Sequence, residues 1–454
     1  MHRGVYDGVL KTLRKAIEGT EFEFRTYSVG GCERDFMMCR EIKDIDLVVE
    51  LERGGIRLAE YLEQNGYTEG SIVKYENFGT VMFRLKDYPN IELEAVHTRK
   101  ECYRDAKSRD PQTAFGTIDD DCHRRDFTYN AIYYNISTKT RHDFNGNSFA
   151  DMATNEIRSC GEPDIIFKED PLRILRMCKF VARYDSTVEK ETYDGAKRNV
   201  SRLNIISKER IHNELIGILN GFHFYKGIDM LFNLGVMKYL ISDLNLNPDL
   251  SYEIKRMFFF MHNDVPIDEK LAALFIWCSN PEGAMRDLKF SNSEINDVMF
   301  LIKTENMAVV MKRTDVGIRK LQYTCKTKER FEKVCRLYEY HSGFSNEKIL
   351  ALNETEIENG TDMFDYVLPV NGDDIMEITG MGPCKWIKSI LNQCIEDAFS
   401  IGPKFADREY FVNKLKVLAE NGFYIYDDDR TGIKEQQSDL QIHTWLARLW
   451  AKRS

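Results

Sequence analysis

The sequence predicts an α+β chain: a mixed sheet with helices in the first part, to about residue 160, and an all-helical remainder. Two observations carry this. Short β-branched runs, "TYSVGG", "IDLVVE", "GTVMFRL", "IELEAV" and "NAIYYNI", alternate with helical patterns over the first part. Beyond it, apolar residues recur at spacings of three and four in "KEDPLRILRMCKFVARY", "SKERIHNELIGILN", "GIDMLFNLGVMKYL", "EKLAALFIWC" and "KWIKSILNQCIEDAF", the period of helices that bury one face. At 454 residues and 43% hydrophobic the chain is long enough for several cores. Seams are expected near residue 152, near Gly221 and in the polar "NETEIENGTD" before Met363. The polar tail "YDDDRTGIKEQQSDLQIH" reads as loosely held, with "TWLARLW" as a short amphipathic helix.

Composition narrows the classes. Eleven cysteines lie scattered, without zinc-site spacing, and "MHRGVYDGVLKTLRKAIEG" carries no apolar core of a signal peptide, so a reduced, cytoplasmic protein is expected. No apolar run is long enough to span a membrane. The net charge of −10 argues against indiscriminate nucleic-acid binding. Between Lys168 and His212, however, eleven Lys or Arg stand against seven Asp or Glu, so a local basic patch is compatible with the acidic whole.

Chemistry concentrates in "VGGCERDFMMCREIKDIDLVVE", Val29 to Glu50. On a strand, residues i and i+2 share a face, so Asp44 and Asp46 project together while Ile45 and Leu47 turn into the sheet. Adjacent carboxylates repel unless a cation lies between them, and Mg²⁺ takes one or two protein carboxylates and fills its shell with water and phosphate oxygens. The Gly30-Gly31 turn allows backbone to approach a phosphate closely. A solvated strand edge beside an ordinary turn would account for the same residues. The alternating Glu92 and Glu94 in "NIELEAVHTR" offer a third acid, which favours a site for a nucleoside triphosphate and metal.

In "RRDFTYNAIYYNI", Arg124 and Arg125 suit bidentate contact with triphosphate oxygens and Asp126 suits a ribose hydroxyl, although a charged helix cap reads the same way. With "DFNG" and Asp151 following, the ordered set "VGGCERD…KDIDLVV", "LEAVHTRKECY", "RRDFTYNA", "KEDPLRILRMCKF" and "ISKERIHNEL" resembles the class II tRNA nucleotidyltransferase and bacterial poly(A) polymerase family, a branch of the polymerase β-like nucleotidyltransferases. The resemblance spans residues 25 to 220, with a weaker similarity from Leu368 to Leu391. It implies a catalytic head over residues 1–152, a neck over 153–221, a helical body over 222–350 and a tRNA-binding helical tail over 351–454. It also implies tRNA as acceptor, CTP and ATP as donors, and magnesium.

Carried over by position, the resemblance makes Asp44 and Asp46 the metal-binding acids, with Glu94, five residues before Arg99, preferred over Glu92 as third acid. Gly30, Gly31, Arg34 and Asp35 match the phosphate-cradling motif; Arg124, Arg125, Asp126 and Asn130 match the ribose and triphosphate motif; Arg176 joins the nucleotide-binding set. The gap from Asp143 to Asp151 is one residue longer than the family pattern, which leaves the role of Asp143 open. The segment Tyr103 to Thr117 matches a loop associated with the change from C to A addition.

Glu169, Asp170 and Arg173 in "KEDPLR" bring acceptors and a donor to one side of a helical turn. Cytosine and adenine both present an amino donor beside a ring-nitrogen acceptor, so Asp170 can accept from the former and Arg173 donate to the latter. Uracil and guanine reverse that polarity, and a site left with unpaired polar groups rejects them by ~10⁴-fold. Asp170-Pro171 equally suits a helix start, with Asp as N-cap and Pro first inside, and the two readings are compatible.

In the helical half, Trp277 and Cys278 stand where some bacterial relatives carry a His-Asp pair, so no phosphohydrolase is expected, and His262 reads as an ordinary histidine. The apolar residues of "FFFMH" and "LFNLGVMKYL" are expected in the core. Arg176, Lys179, Arg183, Lys197 and Arg198 are candidates for the acceptor-stem path. Poly(A) polymerase, a CC-only or A-only enzyme, and a non-catalytic RNA-binding relative remain alternatives, and the sequence names no protein partner.

Overall fold

The computed structural model describes residues 1–76, 79–102, 112–241, 243–244, 247–310, 314–380, 382–383 and 386–420. Contacts divide it into two compact units: Met1–Glu305 with Arg336–Phe344, and Asn306–Cys335 with Ser345 onward. The α+β expectation holds.

The first unit begins with α1 (Arg3–Ile17), then β1 (Thr26–Val29), α2 (Gly31–Met37), β2 (Ile45–Val49), α3 (Gly54–Gln64), β3 (Val73–Tyr75), β4 (Thr80–Leu85) and β5 (Tyr88–His97). A hairpin of β6 (Arg99–Cys102) and β7 (Gln112–Phe115), the helix α4 (Ile118–His123), β8 (Ile132–Asn135) and β9 (Thr140–Asp143) follow. Seven strands form one sheet in the order β3-β4-β5-β2-β1-β8-β9, in which only β2 and β5 run parallel.

The two-residue period of β2 decides what each face receives. Ile45, Leu47 and Val49 meet Leu10, Leu13 and Ile17 of α1 and Ile56, Ala59 and Leu62 of α3 in one core. Asp46 and Val48 point the other way, and Val48 joins Tyr27, Val29, Cys122, Ala131 and Tyr133 in a smaller cluster on the opposite face. A carboxylate therefore emerges from a strand whose remaining residues are all buried.

After α5 (Ser148–Thr154) and β10 (Glu156–Ile157) come α6 (Pro163–Glu169), α7 (Leu172–Tyr184), β11 (Thr187–Val188), α8 (Lys190–Asn199), α9 (Lys208–Leu219) and α10 (Phe224–Leu234). One short strand thus does lie beyond residue 160: β11 pairs in parallel with β10. Nine of the thirteen residues of α7 are buried, as befits a helix packed against both α9 and α10.

The "FFFMH" expectation is corrected. In the helix Pro248–Phe260, Ile254, Met257 and Phe258 face the core, whereas Phe259 and Phe260 are 65% and 61% exposed. Successive helical residues turn by about 100°, so a run of three phenylalanines cannot point one way.

The second unit is helical. Its core gathers Met363, Val370, Ile375, Ile390, Cys394, Ala398, Phe411 and Leu415, and Arg319 grips the buried Glu356 through two nitrogens at 2.7 and 3.2 Å. The "TWLARLW" segment and most of the Tyr103 to Thr117 loop lie outside the described residues.

Candidate active site

The parallel pairing of β2 with β5 sets Asp46 directly opposite Glu94. Glu92 lies on the same face but opposite Arg84, with which it forms an exposed ion pair at 3.1 Å. Asp44 falls one residue before the strand and is exposed, which adjusts the expectation that both aspartates belong to β2. Burial pushes the Asp46 carboxyl up to about 6, the charges of Glu94 and Asp44 add to that, and Arg125 and Arg34 oppose it. Such a cluster of like charge favours a cation. Among the described residues no three His, Cys, Asp or Glu side chains form a ready-made metal cage. An aspartate pair whose ion is completed by water and phosphate oxygens is the arrangement a small hard cation accepts.

The turn beside these acids is tight. Gly30 has φ +83°, and a Cβ there would lie 3.2 Å from Asp46 Oδ2 and 3.7 Å from Arg125 Nη1. The floor of the site is therefore bare backbone, with the Asp46 carboxylate on one side and the Arg125 guanidinium on the other. Arg34 and Asp35 lie about one turn further along α2, and Arg34 Nη2 comes within 3.5 Å of where a Cβ on Gly31 would stand. Arg34 is buried, donates to Asp35 Oδ1 at 2.9 Å and to Asn130 Oδ1 at 2.7 Å, and stacks on Phe180 and Tyr184 at 5.3 and 5.0 Å. Asp35 accepts from the Tyr184 hydroxyl at 3.2 Å. Both residues join α2 to α7.

The Arg-Arg-Asp stretch follows α4, whose Thr117 and Asp120 form a reciprocal cap. Arg124 and Arg125 converge on Asp121, which is fully buried. Asp126 turns away from them and accepts from Arg176 at 2.8 Å, from the Asn130 amide at 2.8 Å and from the Phe127 N–H at 2.8 Å. Burial alone would raise the Asp126 carboxyl, but Arg176 and Asn130 outweigh it and hold the group well below the usual carboxylate range. Asn130 thus bridges Arg34 and Asp126.

The "KEDPLR" residues occupy the joint between α6 and α7. Arg173 donates to Glu169 Oε2 at 3.2 Å, to the Ile166 carbonyl at 3.0 Å and to the Arg124 carbonyl at 2.7 Å. Asp170 accepts the Leu172 N–H at 3.1 Å and the Arg210 guanidinium at 2.8 Å. Pro171 is the residue that caps α7, one position later than expected, and Asp170 still satisfies a first-turn donor. Asp143 closes its own turn by accepting the N–H of Gly146 at 2.9 Å and of Phe149 at 3.3 Å, while Asp151 reaches the Thr128 hydroxyl at 2.9 Å and Arg158 at 3.1 Å.

Sequence reasoning passed over Asp121, Tyr133, Phe180 and Tyr184. For Asp121 a signal existed, since it precedes Arg124 and Arg125 by three and four residues, the helical spacing at which charges meet. Tyr133 and the α7 aromatics read as core and gave none.

Residues 26–158 match the family described as the poly A polymerase head domain, and residues 186–247 match one described as a probable RNA and SrmB-binding site of polymerase A. A CCA-adding enzyme of Staphylococcus saprophyticus is 26% identical over 395 residues, covering 85% of this chain and 93% of its own length. The crystal structure of the Bacillus stearothermophilus CCA-adding enzyme in complex with CTP aligns with a TM-score of 0.69 at 20% identity, over 93% of this chain and 99% of that one. The Thermotoga maritima CCA-adding enzyme complexed with tRNA aligns with a TM-score of 0.67 at 20% identity, over 93% and 97%. At these identities the two structures share the fold.

Proposed function

This chain belongs to the class II tRNA nucleotidyltransferase and poly(A) polymerase family, and from that premise we propose that it adds C, C and A to the 3′ end of tRNA, using CTP and ATP and releasing pyrophosphate. The observation that carries the reading is the convergence of Asp46, Glu94, the bare Gly30 backbone and the Arg125 guanidinium on one space. Correspondence with a CCA-adding enzyme along most of both chains favours CCA addition over poly(A) synthesis.

Divalent-metal use is implied by the family, and we take the ion to be Mg²⁺, which Asp44 and Asp46 would hold and which would there supply acidification of the 3′-hydroxyl and neutralisation of phosphate charge. The Gly30-Gly31 turn admits the triphosphate to within contact of backbone. Arg125, and Arg124 beside it, offer N–H groups to the phosphate oxygens as charge builds on the leaving pyrophosphate. Glu94, opposite Asp46, is placed to take up the hydroxyl proton. At the other end of the nucleotide, Asp170 and Arg173 select the amino-donor, ring-acceptor edge shared by cytosine and adenine, with Glu169 bracing Arg173. Most of the remaining rate enhancement is positioning. The head, neck, body and tail division is part of the same proposal, with tRNA lying along the helical parts.

Among the described residues no helix is long and apolar enough to cross a membrane. The test is incubation of the protein with tRNA lacking CCA, Mg²⁺ and each single labelled triphosphate. CTP alone is expected to add two residues, ATP alone none, and both together three; long runs of A from ATP alone would establish poly(A) synthesis instead.

A further inference from the structure

Asp121 has no exposed surface and no room for a ligand, yet it is the most heavily bonded carboxylate near the site. Its Oδ1 accepts from Arg124 Nε at 3.0 Å, from Arg124 Nη2 at 2.5 Å and from the Arg99 N–H at 3.3 Å. Its Oδ2 accepts from Arg125 Nε at 3.2 Å, from Arg125 Nη2 at 2.9 Å and from the Tyr133 hydroxyl at 2.8 Å. Tyr133 in turn accepts from Arg125 Nε at 2.8 Å, closing a triangle under the guanidinium, whose carbon sits 5.2 Å from the ring centre.

Both arginines are therefore held by the same edge, the one formed by Nε and Nη2. A guanidinium is rigid and planar, so fixing one edge fixes the direction of the other. For Arg125 the other edge has a known target: Nη1 lies 3.7 Å from where a Cβ on Gly30 would stand, and the same point is 3.2 Å from Asp46 Oδ2. Nη1 also reaches the Asn130 carbonyl at 3.4 Å, a long bond. Arg124 sends its carbonyl oxygen to Arg173 at 2.7 Å, so the residue whose side chain Asp121 holds also seats the proposed base reader.

We propose that Asp121 is the positioning residue of the triphosphate clamp: it aims Arg125 into the space between Gly30 and Asp46, and it holds Arg124 in the pose that seats Arg173. The proposal rests on the nucleotide-binding role given to this site above. Without Asp121 two guanidiniums would sit side by side with no shared carboxylate, repel one another and leave the aimed pose.

The experiment uses the full-length protein and inorganic triphosphate, whose binding by calorimetry requires neither tRNA nor turnover, alongside the KM values for CTP and for tRNA lacking CCA. Asp121→Asn is expected to weaken triphosphate binding and raise the KM for CTP by about 10-fold or more, the loss of a charge-assisted bond. The KM for tRNA should not move, and Asp121→Glu should recover part of the loss. A role confined to fold stability would lower the melting temperature and the active fraction while leaving triphosphate affinity and both KM values of the folded fraction unchanged, and that result overturns the proposal. Should the Asp121 variants prove insoluble, Tyr133→Phe decides: it removes one corner of the triangle, and unchanged triphosphate affinity in that variant also overturns it. If triphosphate binding falls in the Asp121 variants as expected but the wild type adds neither C nor A to tRNA, the CCA reading fails and the positioning role stands.

Discussion

Asp46 and Glu94 face each other across the only parallel strand pairing in the seven-stranded sheet, at a position where every neighbour in β2 is buried. In the metal-free protein this juxtaposition costs stability, because burial and mutual repulsion both disfavour the charged forms. Replacing Asp46 with Asn is expected to lower nucleotide transfer by at least about 10³-fold while leaving the metal-free melting temperature unchanged or raised. A parallel fall in both would show that Asp46 serves the fold.

Glu94→Gln separates proton transfer from binding. The amide keeps the shape but cannot take a proton, so kcat should drop by roughly 10²-fold or more with CTP affinity little changed. Retained kcat would assign the proton to another acceptor.

Gly30 admits no side chain on two counts, its left-handed φ of +83° and the 3.2 Å approach to Asp46 Oδ2. Gly30→Ala should destabilise the fold by about 1–2 kcal/mol and weaken triphosphate binding along with it. Denaturant unfolding and calorimetry read the two effects separately.

Base choice is expected to hang on Asp170 and Arg173. Asp170→Ala and Arg173→Ala should each cut the preference for CTP over UTP from the ~10⁴-fold such sites achieve to about 10²-fold or below. Competition assays with mixed triphosphates measure this, and unchanged preference would move base selection elsewhere.

Asp126 supplies the pH prediction. Its folded carboxyl is held below its unfolded value, so the stability it contributes is complete above about pH 4 and is lost as pH falls through the folded pKa. Thermal melts of the wild type should therefore decline steeply below pH 4, and those of Asp126→Asn less steeply. At neutral pH that variant should be weaker by roughly 2 kcal/mol, reduced from a fully buried pair because Arg176 is 35% exposed.

Much of this architecture could be read from residue patterns. The period-two strands and period-three-and-four helices marked where the sheet ends, and the alternation in β2 placed Asp46 on the face opposite the main core. Pairing partners were beyond reach, because the choice between Glu92 and Glu94 depends on the register between β2 and β5, a long-range property; the family pattern supplied it. Arg34 and Asp35 show the opposite limit. Their motif is plain in the sequence, but the aromatic rings that enclose them come from α7, about 150 residues away. Phe259 and Phe260 show a further limit in a helix, where an apolar composition does not override helical phase. Asp121 stands three and four residues before Arg124 and Arg125, a spacing that permits contact with either but does not reveal that one buried carboxylate holds both.

Arg158, Arg173, Arg176, Lys179, Arg183, Arg198 and Arg210 each lie against a carboxylate of the same chain. Few of the cations around the neck are therefore free to displace counterions from a nucleic acid, and the molecule as a whole is an anion. Its hold on RNA should accordingly weaken only gently as ionic strength rises, with a shallow logarithmic slope, and shape must carry the recognition that bulk attraction does not.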